Sequence, residues 1–494
     1  MRVALILEGS YPYITGGLSS WVQQLATNLP EIEFGVLSIM PSREKVPEVK
    51  YKPPANLVEV KTLFLEDYLQ LSPLAATAEP RLSDKQRLAV ESLLAFSRDA
   101  QWAEAISVLS DQKRIGTAVQ FLKSRVAWDF LVRLYQEKFA DEEFNRFFWT
   151  LVSMYIPLIH LLQQEGIAAD VYHPLSTGYA GLIGLKLSLA AGKPLLVTEH
   201  GLYAREREEE IISATWVDPA YKQMWIDYFY CLALGAYRHA TRVTALFSLN
   251  SDIQQYCGVD KHKALIIPNG VDINRFRPVP RQNSTPTVGA ILRVVPIKDV
   301  KTLLRAFRIV LNSLPAAQLL IIGATDEDYE YYLECRHLVD LLNLSENVTF
   351  TGQVNIIEYL PRLDVVVLTS LSEGQPLVML ESMAAGVPVI ATDVGSCREL
   401  IEGAPGDTLG PAGIIVPPAS SDHTAGAILS LLSDPEMQAD MGHAARQRVT
   451  QYYSQTKFIS SYRELYTGFA AMQGGTGLSG AWQSRRSRYG YAQK

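Results

Sequence analysis

Thr369-Ser370-Leu371-Ser372-Glu373-Gly374-Gln375-Pro376-Leu377-Val378 leaves an apolar strand at 364–369 and runs into a helix that carries Glu381. Open α/β sheets bind ligands beyond the carboxyl ends of their strands, so a strand, a loop and a helix start in this order mark both a fold class and a site. A helix N-terminus offers free N–H groups and a positive dipole end, which suits a sugar phosphate, and Pro376 fits an early helical position ahead of Leu377 and Val378. Gly374 permits close backbone approach. Glu373 in the loop and Glu381 about a turn into the helix can each accept two hydroxyl hydrogen bonds, which is what a ribose and a hexose present. Either glutamate alone reads as a solvated acid at a helix start; the whole block outweighs that reading.

Around this block the alternation is regular. Strands are predicted near 288–294, 318–323, 347–351, 364–369, 388–392 and 413–416, each followed by a helical stretch, which implies a parallel sheet covered on both faces. Val300, Leu303, Leu304, Phe307, Val310 and Leu311 form one apolar stripe at helical spacing. Toward the N-terminus, Pro268-Asn269-Gly270 breaks the chain, and Pro278, Pro280, Asn283 and Ser284 give 277–286 the composition of a linker. Beyond it lie strand signals at 2–8, 33–40, 56–65, 170–173, 194–199, 242–248 and 264–268, with a helix from about 18 to 28. Helical stretches at 83–166 interrupt them. The expectation is an N-terminal domain over 1–280 with a helical insertion and a C-terminal domain over 287–472. Its last helices are candidates for a return to the first domain, and 473–494 is a Gly/Ser-rich, mobile tail with arginines and aromatics.

Length and composition fit this organisation. A chain of 494 residues exceeds what one core usually supports, and 48% apolar with 20% charged residues is the balance of a packed protein. A net charge of −7 argues against a general nucleic-acid binder, so an anionic ligand needs a local site. Cys231, Cys257, Cys335 and Cys397 contain no Cys-x-x-Cys pair, which suggests neither a zinc site nor a disulfide framework and fits a reducing compartment. The first apolar run is too short for a secretory signal and reads as a buried strand. The charge-free stretch 147–164 carries Pro157, His160 and Ser153 and reads as a buried helix and not a membrane span.

Three further clusters follow strands. Arg293 and Lys298 could neutralise a diphosphate: at ~4 Å and an effective dielectric of about 20, each charge is worth on the order of 4 kcal/mol per phosphate charge before desolvation. Read alone, they are two surface cations. Gly16-Gly17 lets a phosphate or sugar approach bare backbone, though such a loop is often only a turn. His200, in Thr198-Glu199-His200-Gly201, is placed to face a cleft, although a lone histidine is more often structural.

Taken together, these positions resemble glycosyltransferase family four. The matching pieces are Gly16-Gly17, His200, Pro268-Asn269-Gly270-Val271-Asp272, Arg293 with Lys298, and the Glu373/Glu381 pair, in the expected order across both halves. The resemblance implies the GT-B fold, two Rossmann-like domains facing a cleft, and transfer that retains anomeric configuration without a bound metal or other cofactor. It implies that Arg293 and Lys298 hold the diphosphate of a nucleotide-sugar donor, UDP-linked by preference. Glu381 would hold the ribose, and Glu373 and His200 the transferred sugar. Within the family, Leu7-Glu8-Gly9-Ser10-Tyr11-Pro12-Tyr13, Gly16-Gly17-Leu18-Ser19-Ser20-Trp21-Val22 and Thr198-Glu199-His200-Gly201-Leu202-Tyr203 look like a subgroup of cytosolic enzymes of exopolysaccharide synthesis. That implies a polysaccharide or sugar acceptor, a cytoplasmic location, and membrane-bound synthase components as partners. Gln375 departs from the apolar or aromatic residue frequent there in the wider family.

Rival signals are weaker. Gly475-x-Gly477-x-x-Gly480 follows no strand and lies in the tail, which discounts a dinucleotide fingerprint. Asp326-Glu327-Asp328 precedes a helical stretch and suits a solvated helix start, not a metal site. A nucleotide-sugar epimerase on the same fold and a non-catalytic component of a polysaccharide-export complex are the functional alternatives.

Overall fold

A computed structural model describes residues 1–45, 48–70, 79–278 and 285–473. The chain divides into two compact units, one holding 1–245 and 251–266 with the chain from Tyr466, the other 246–250 and 267–465. Each is built on a parallel sheet.

The strands of unit 1 are β1 (Arg2–Glu8), β2 (Glu33–Met40), β3 (Leu57–Phe64), β4 (Val171–Pro174), β5 (Leu196–Glu199), β6 (Arg242–Ala245) and β7 (Ala264–Ile266). Their order is β3-β2-β1-β4 and β5-β6-β7, and a parallel bridge from Tyr172 to Leu195 links the two groups. β1 has a partner on each side, so Val3 to Leu7 are wholly buried and the strand reads as an unbroken apolar run. The helix Gly17–Asn28 carries the chain from β1 to β2 and buries Trp21, Val22, Leu25 and Ala26.

The helical stretch at 83–166 forms six helices between β3 and β4, from Asp84–Leu94 to Phe144–Gln163. Ser83 with Gln86 and Thr117 with Gln120 start two of them as capping boxes. The apolar run at 147–164 lies in the helix Phe144–Gln163. That helix buries Phe147, Leu151, Met154 and Leu158 in the same core as the sheet, and its Tyr155 hydroxyl donates to the Leu94 carbonyl at 2.5 Å. No helix among the described residues is long and apolar enough to cross a membrane.

A buried polar chain runs across unit 1. His173 on β4 meets the Tyr466 hydroxyl at 2.8 Å through Nδ1 and Thr198 on β5 at 2.7 Å through Nε2, and Thr198 meets Thr244 on β6 at 2.5 Å. Burial pushes the His173 imidazole down to about 3, so it stays neutral.

Unit 2 has β8 (Thr287–Ile291), β9 (Gln318–Ile322), β10 (Val348–Gly352), β11 (Val365–Leu368), β12 (Val389–Thr392) and β13 (Gly413–Val416), in the order β10-β9-β8-β11-β12-β13. The six stripe residues from Val300 to Leu311 are all buried against this sheet. Two predicted strands run past their observed ends: 288–294 stops as a strand at Ile291, and 242–248 at Ala245. The run at 242–248 stops pairing at Ala245, where β7 ends opposite it at Ile266, and Ser248 already opens a helix. Leu246 and Phe247 are buried without being laddered, which apolarity alone cannot distinguish. Part of the linker (279–284) and the tail beyond Gln473, with its Gly475-x-Gly477-x-x-Gly480, lie outside the described residues.

Arg448 and Asp407 form a buried pair in unit 2, Nε to Oδ2 at 2.6 Å, and the same guanidinium donates to the carbonyls of Leu400, Ile401 and Gly410. Breaking a buried pair strands one charge. Arg448→Ala is expected to destabilise unit 2 by about 3–5 kcal/mol in denaturant unfolding. Arg398→Ala, which removes an exposed pair with Asp393 and Glu402, should cost under ~1 kcal/mol.

Candidate functional site

In unit 2 the chain lays β8 first, moves out to β9 and β10 on one side, then crosses to β11, β12 and β13 on the other. Connections leave β8 and β11 in opposite directions, and a parallel sheet opens a crevice at such a point. Two loops meet there. The Thr369 hydroxyl donates to the carbonyls of Lys298 and Asp299 at 3.1 and 3.0 Å, and the Leu371 N–H to Ile297 at 2.8 Å. Asp299, in the left-handed region at φ 44°, caps the helix Val300–Ser313 and turns the chain so that Lys298 stays at the strand end. Gly395 is required on the other side: its φ is +55°, and a Cβ there would fall 2.0 Å from the Glu373 carbonyl.

These loops bring Lys298 and Glu373 together. Nζ lies 2.5 Å from Oε1, the side chains are 18% and 9% exposed, and the Ser370 hydroxyl donates to the same oxygen at 2.6 Å. Lys298 is thus neutralised by Glu373, and a diphosphate would have to share or take over that cation. Arg293 joins neither residue. It pairs with Glu327, both side chains being about half exposed, and a surface pair of that kind is worth ~0–1 kcal/mol, so the guanidinium is only lightly held. Asp328 meanwhile caps the helix Tyr329–Leu341, accepting from the Tyr331 N–H at 3.0 Å. Among the described residues no group of three or more His, Cys, Asp or Glu is placed to hold a metal ion.

Glu381 sits in the first turns of the helix Leu377–Ala384. Burial raises its carboxyl to about 7, against the pull of Arg275, a neighbour that sequence spacing did not reveal. Pro376 stands at the cap position, one residue earlier than the first helical place, so the N–H groups of Leu377 and Val378 begin the helix next to Gly374. Gln375 is buried. Its Oε1 accepts from the Asn269 N–H at 2.6 Å, and its Nε2 donates to the Leu246 carbonyl at 3.4 Å. The unusual amide therefore anchors Asn269 of the Pro268-Asn269-Gly270 segment.

In unit 1 the chain reverses between β1 and β4 in the same way. A cavity of about 460 Å³ opens at the carboxyl ends of β1, β2, β4 and β5. His200 lines it. Its ring makes an edge contact with Trp21 at 5.1 Å, its Nε2 has no hydrogen-bond partner, and burial lowers its pKa to about 4. The neighbouring Glu199 is fully buried and takes hydrogen bonds from Tyr237, Gln254, Thr177 and the Tyr203 N–H, which fixes the loop after β5. Burial outweighs those bonds and raises the Glu199 carboxyl. Gly16 and Gly17 are exposed at the start of the helix Gly17–Asn28, and a Cβ at either would meet nothing within 4 Å. Sequence reading missed Glu8, Tyr203, Glu206 and Arg207 in this cavity. Glu8, a charge ending an apolar strand, and Tyr203 stand in stretches quoted for the subgroup resemblance, while Glu206 and Arg207 carried no signal. A second cavity, about 410 Å³ in unit 2, lies at the amino ends of β11 and β12 beside Asp364 and Pro388, the opposite end of the sheet from Lys298 and Glu373.

Comparison with known proteins fits this division. Residues 1–262 match the model of a domain of unknown function, DUF3492, and residues 272–448 match glycosyl transferases group 1. The chain belongs to the DUF3492 family, with a group 1 glycosyl transferase domain in its second half. N-acetyl-alpha-D-glucosaminyl L-malate synthase of Bacillus anthracis is 33% identical over 171 residues, 34% of this chain and 42% of the relative. A GDP-mannose-dependent alpha-(1-6)-phosphatidylinositol monomannoside mannosyltransferase of Mycobacterium tuberculosis is 34% identical over 206 residues, 37% of this chain and 50% of the relative. The match thus spans about half the length of these curated relatives. HepE of Anabaena, solved in complex with UDP, superposes with a TM-score of 0.60 at 16% identity over 95% of this chain and 100% of HepE. That likeness is one of fold, the GT-B fold of two Rossmann-like domains.

His200 in the DUF3492 domain should remain neutral well below ordinary histidine values. An unfolded chain takes up the proton near 6.5 whereas the folded site refuses it until about 4, so this group's contribution to stability is complete above 6.5 and is lost as pH falls toward 4. Imidazole C–H NMR shifts, assigned with His200→Gln, should show no His200 titration between pH 5.5 and 8.

Proposed function

We propose that this protein is a retaining glycosyltransferase that moves a hexose-type sugar from a nucleotide diphosphate donor, UDP-linked in the first instance, to a growing exopolysaccharide. The observation that carries the reading is the Lys298–Glu373 contact at the β8/β11 crossing, with Glu381 in the helix that follows. Lys298 and the lightly held Arg293 neutralise the diphosphate and stabilise its charge as it leaves. The ionised Glu381 accepts both ribose hydroxyls, while Glu373 and the helix start at Gly374, Pro376, Leu377 and Val378 take the sugar and its phosphate. The bond from the anomeric carbon to the phosphate oxygen breaks, and a bond to an acceptor hydroxyl oxygen forms on the same face. The acceptor proton passes to the departing diphosphate. Two cations perform the neutralising task that a metal performs elsewhere.

The donor base is the less constrained part. One relative's name specifies GDP-mannose and the HepE crystal holds UDP, so both nucleotides belong in the test. The exopolysaccharide assignment is supported by the resemblance of Leu7 to Tyr13, Gly16 to Val22 and Thr198 to Tyr203 to PelF of Pel exopolysaccharide synthesis. By the same resemblance the protein would work in the cytoplasm with membrane-bound synthase components.

Calorimetry with UDP and GDP should show weaker binding for Arg293→Ala, Lys298→Ala and Glu381→Ala. For the two cation variants kcat should fall on the order of 10²-fold; near wild-type values for all three would sink the reading. Nucleotide affinity should rise as pH passes upward through about 7, where Glu381 ionises, and that rise should be reduced in Glu381→Gln. Transfer should survive EDTA, and NMR of the product should show the donor's α configuration. An epimerase would instead convert the donor with no acceptor present.

A further inference from the structure

Parallel sheets usually receive phosphate at the helix that starts beside their crossing point, because its first N–H groups and dipole favour an anion. In unit 1 that helix is Tyr179–Ala191, and its anion place is already taken from within the chain. Glu8, the last residue of β1, reaches it: Oε1 accepts from the Ala180 N–H at 3.0 Å and from the Ser176 hydroxyl at 2.7 Å. Oε2 accepts from the Tyr203 hydroxyl at 3.1 Å. Three donors on three segments fix this carboxylate at the wall of the 460 Å³ cavity, with lone-pair capacity left over.

The rest of the wall is no more welcoming to an anion. Glu206 lines the cavity, and among the described residues its carboxylate has neither a hydrogen bond nor an ion pair. Its Oε1 folds back over Gly201, lying 1.8 Å from where a Cβ on that glycine would be. Among the described residues Arg207 is the one cation in the lining. It makes a largely exposed pair with Glu210 at 2.8 Å, lies over the Tyr203 ring at 5.3 Å, and its Nε has no hydrogen-bond partner. His200 is neutral and offers a ring nitrogen without a partner. The cavity is of ligand-pocket size and presents carboxylates, a phenol and an imidazole, groups suited to hydroxyl donors.

We infer that this cavity binds an uncharged, hydroxyl-rich sugar as the acceptor and rejects phosphorylated or carboxylated ones, with Glu8 and Glu206 as the hydroxyl-binding carboxylates. The inference rests on the transferase reading for the word acceptor, while the chemistry of the cavity stands on its own residues. A ligand phosphate meets two carboxylates, Glu8 and Glu206, against the single cation Arg207, so the lining is net negative, and like-charge juxtaposition is a strong source of discrimination.

The test reads sugar binding apart from turnover. Saturation-transfer NMR on the full chain would compare glucose and N-acetylglucosamine with glucose 6-phosphate and glucuronate. Glu8→Gln and Glu206→Lys are the variants, with circular dichroism and thermal unfolding of each to confirm that the fold is kept. The neutral sugars should bind about 10- to 100-fold more tightly than the charged ones, the range that a charged hydrogen-bond partner supplies. Glu8→Gln should weaken them, and Glu206→Lys should narrow or reverse the preference. Equal or better binding of glucose 6-phosphate or glucuronate to the unaltered protein would overturn the inference. So would a preference indifferent to Glu206→Lys, or no sugar binding at all. UDP and GDP calorimetry on the same samples reports on the Lys298 and Glu381 site, so a failure of the transferase reading appears there separately.

Discussion

Both sheets are wound from the inside outward, and this single constraint places everything that carries chemistry. A chain that lays a strand, adds neighbours on one flank, then returns to add neighbours on the other must send two adjacent connections in opposite directions. The crossover helices that cover the faces of the sheet then part at that point, and the carboxyl ends of the two strands are left open. In unit 1 the pair is β1 and β4, in unit 2 β8 and β11. Glu8 and Ser176 stand at the first opening, Lys298 and Glu373 at the second.

Charges at such openings are partly out of water and need partners. Each unit meets the requirement internally, with opposite consequences. In unit 2 a cation and an anion neutralise each other at 2.5 Å, so neither charge is left bare. In unit 1 Glu8 is satisfied by neutral donors, a hydroxyl, a phenol and a backbone N–H, so its negative charge is oriented but not cancelled. Burial holds the imidazoles of His173 and His200 well below the ordinary histidine range.

The parts of this arrangement that were legible in the sequence are those set by local pattern. The strands β8 to β13 are short apolar runs, and the Val300 to Leu311 stripe has helical period. Lys298 and Glu373 could be singled out because each follows a strand, although 75 positions separate them. What could not be read were pairings that local pattern does not encode. Tyr203 meets Glu8 from 195 positions away, and Gln375 meets Asn269 across 106. Glu206 lies in a run of alternating charge that resembles any solvated helix face, and only the bare Cα of Gly201 shows that it turns inward. Arg293 shows the converse: residue type and position pointed to the crossing, while the side chain rests on Glu327, in an acidic triplet that reads as a helix start.

The amide of Gln375 shows how a departure from pattern can be structural without being idle. An apolar side chain at this buried position would leave the Asn269 N–H unpaired, at a cost of about 1–3 kcal/mol. The glutamine accepts that N–H and holds the segment after β7 against the loop between β11 and Glu381. Gly270 lets the same segment pass, because a Cβ there would stand 2.8 Å from the Gln455 Cα. Asp272 then ends the turn by accepting from Asn274 and Arg275, and Arg275 is the cation whose field opposes the rise of the Glu381 carboxyl. A residue that looks like a change in sugar recognition is therefore the first link in a chain of backbone contacts leading to Arg275.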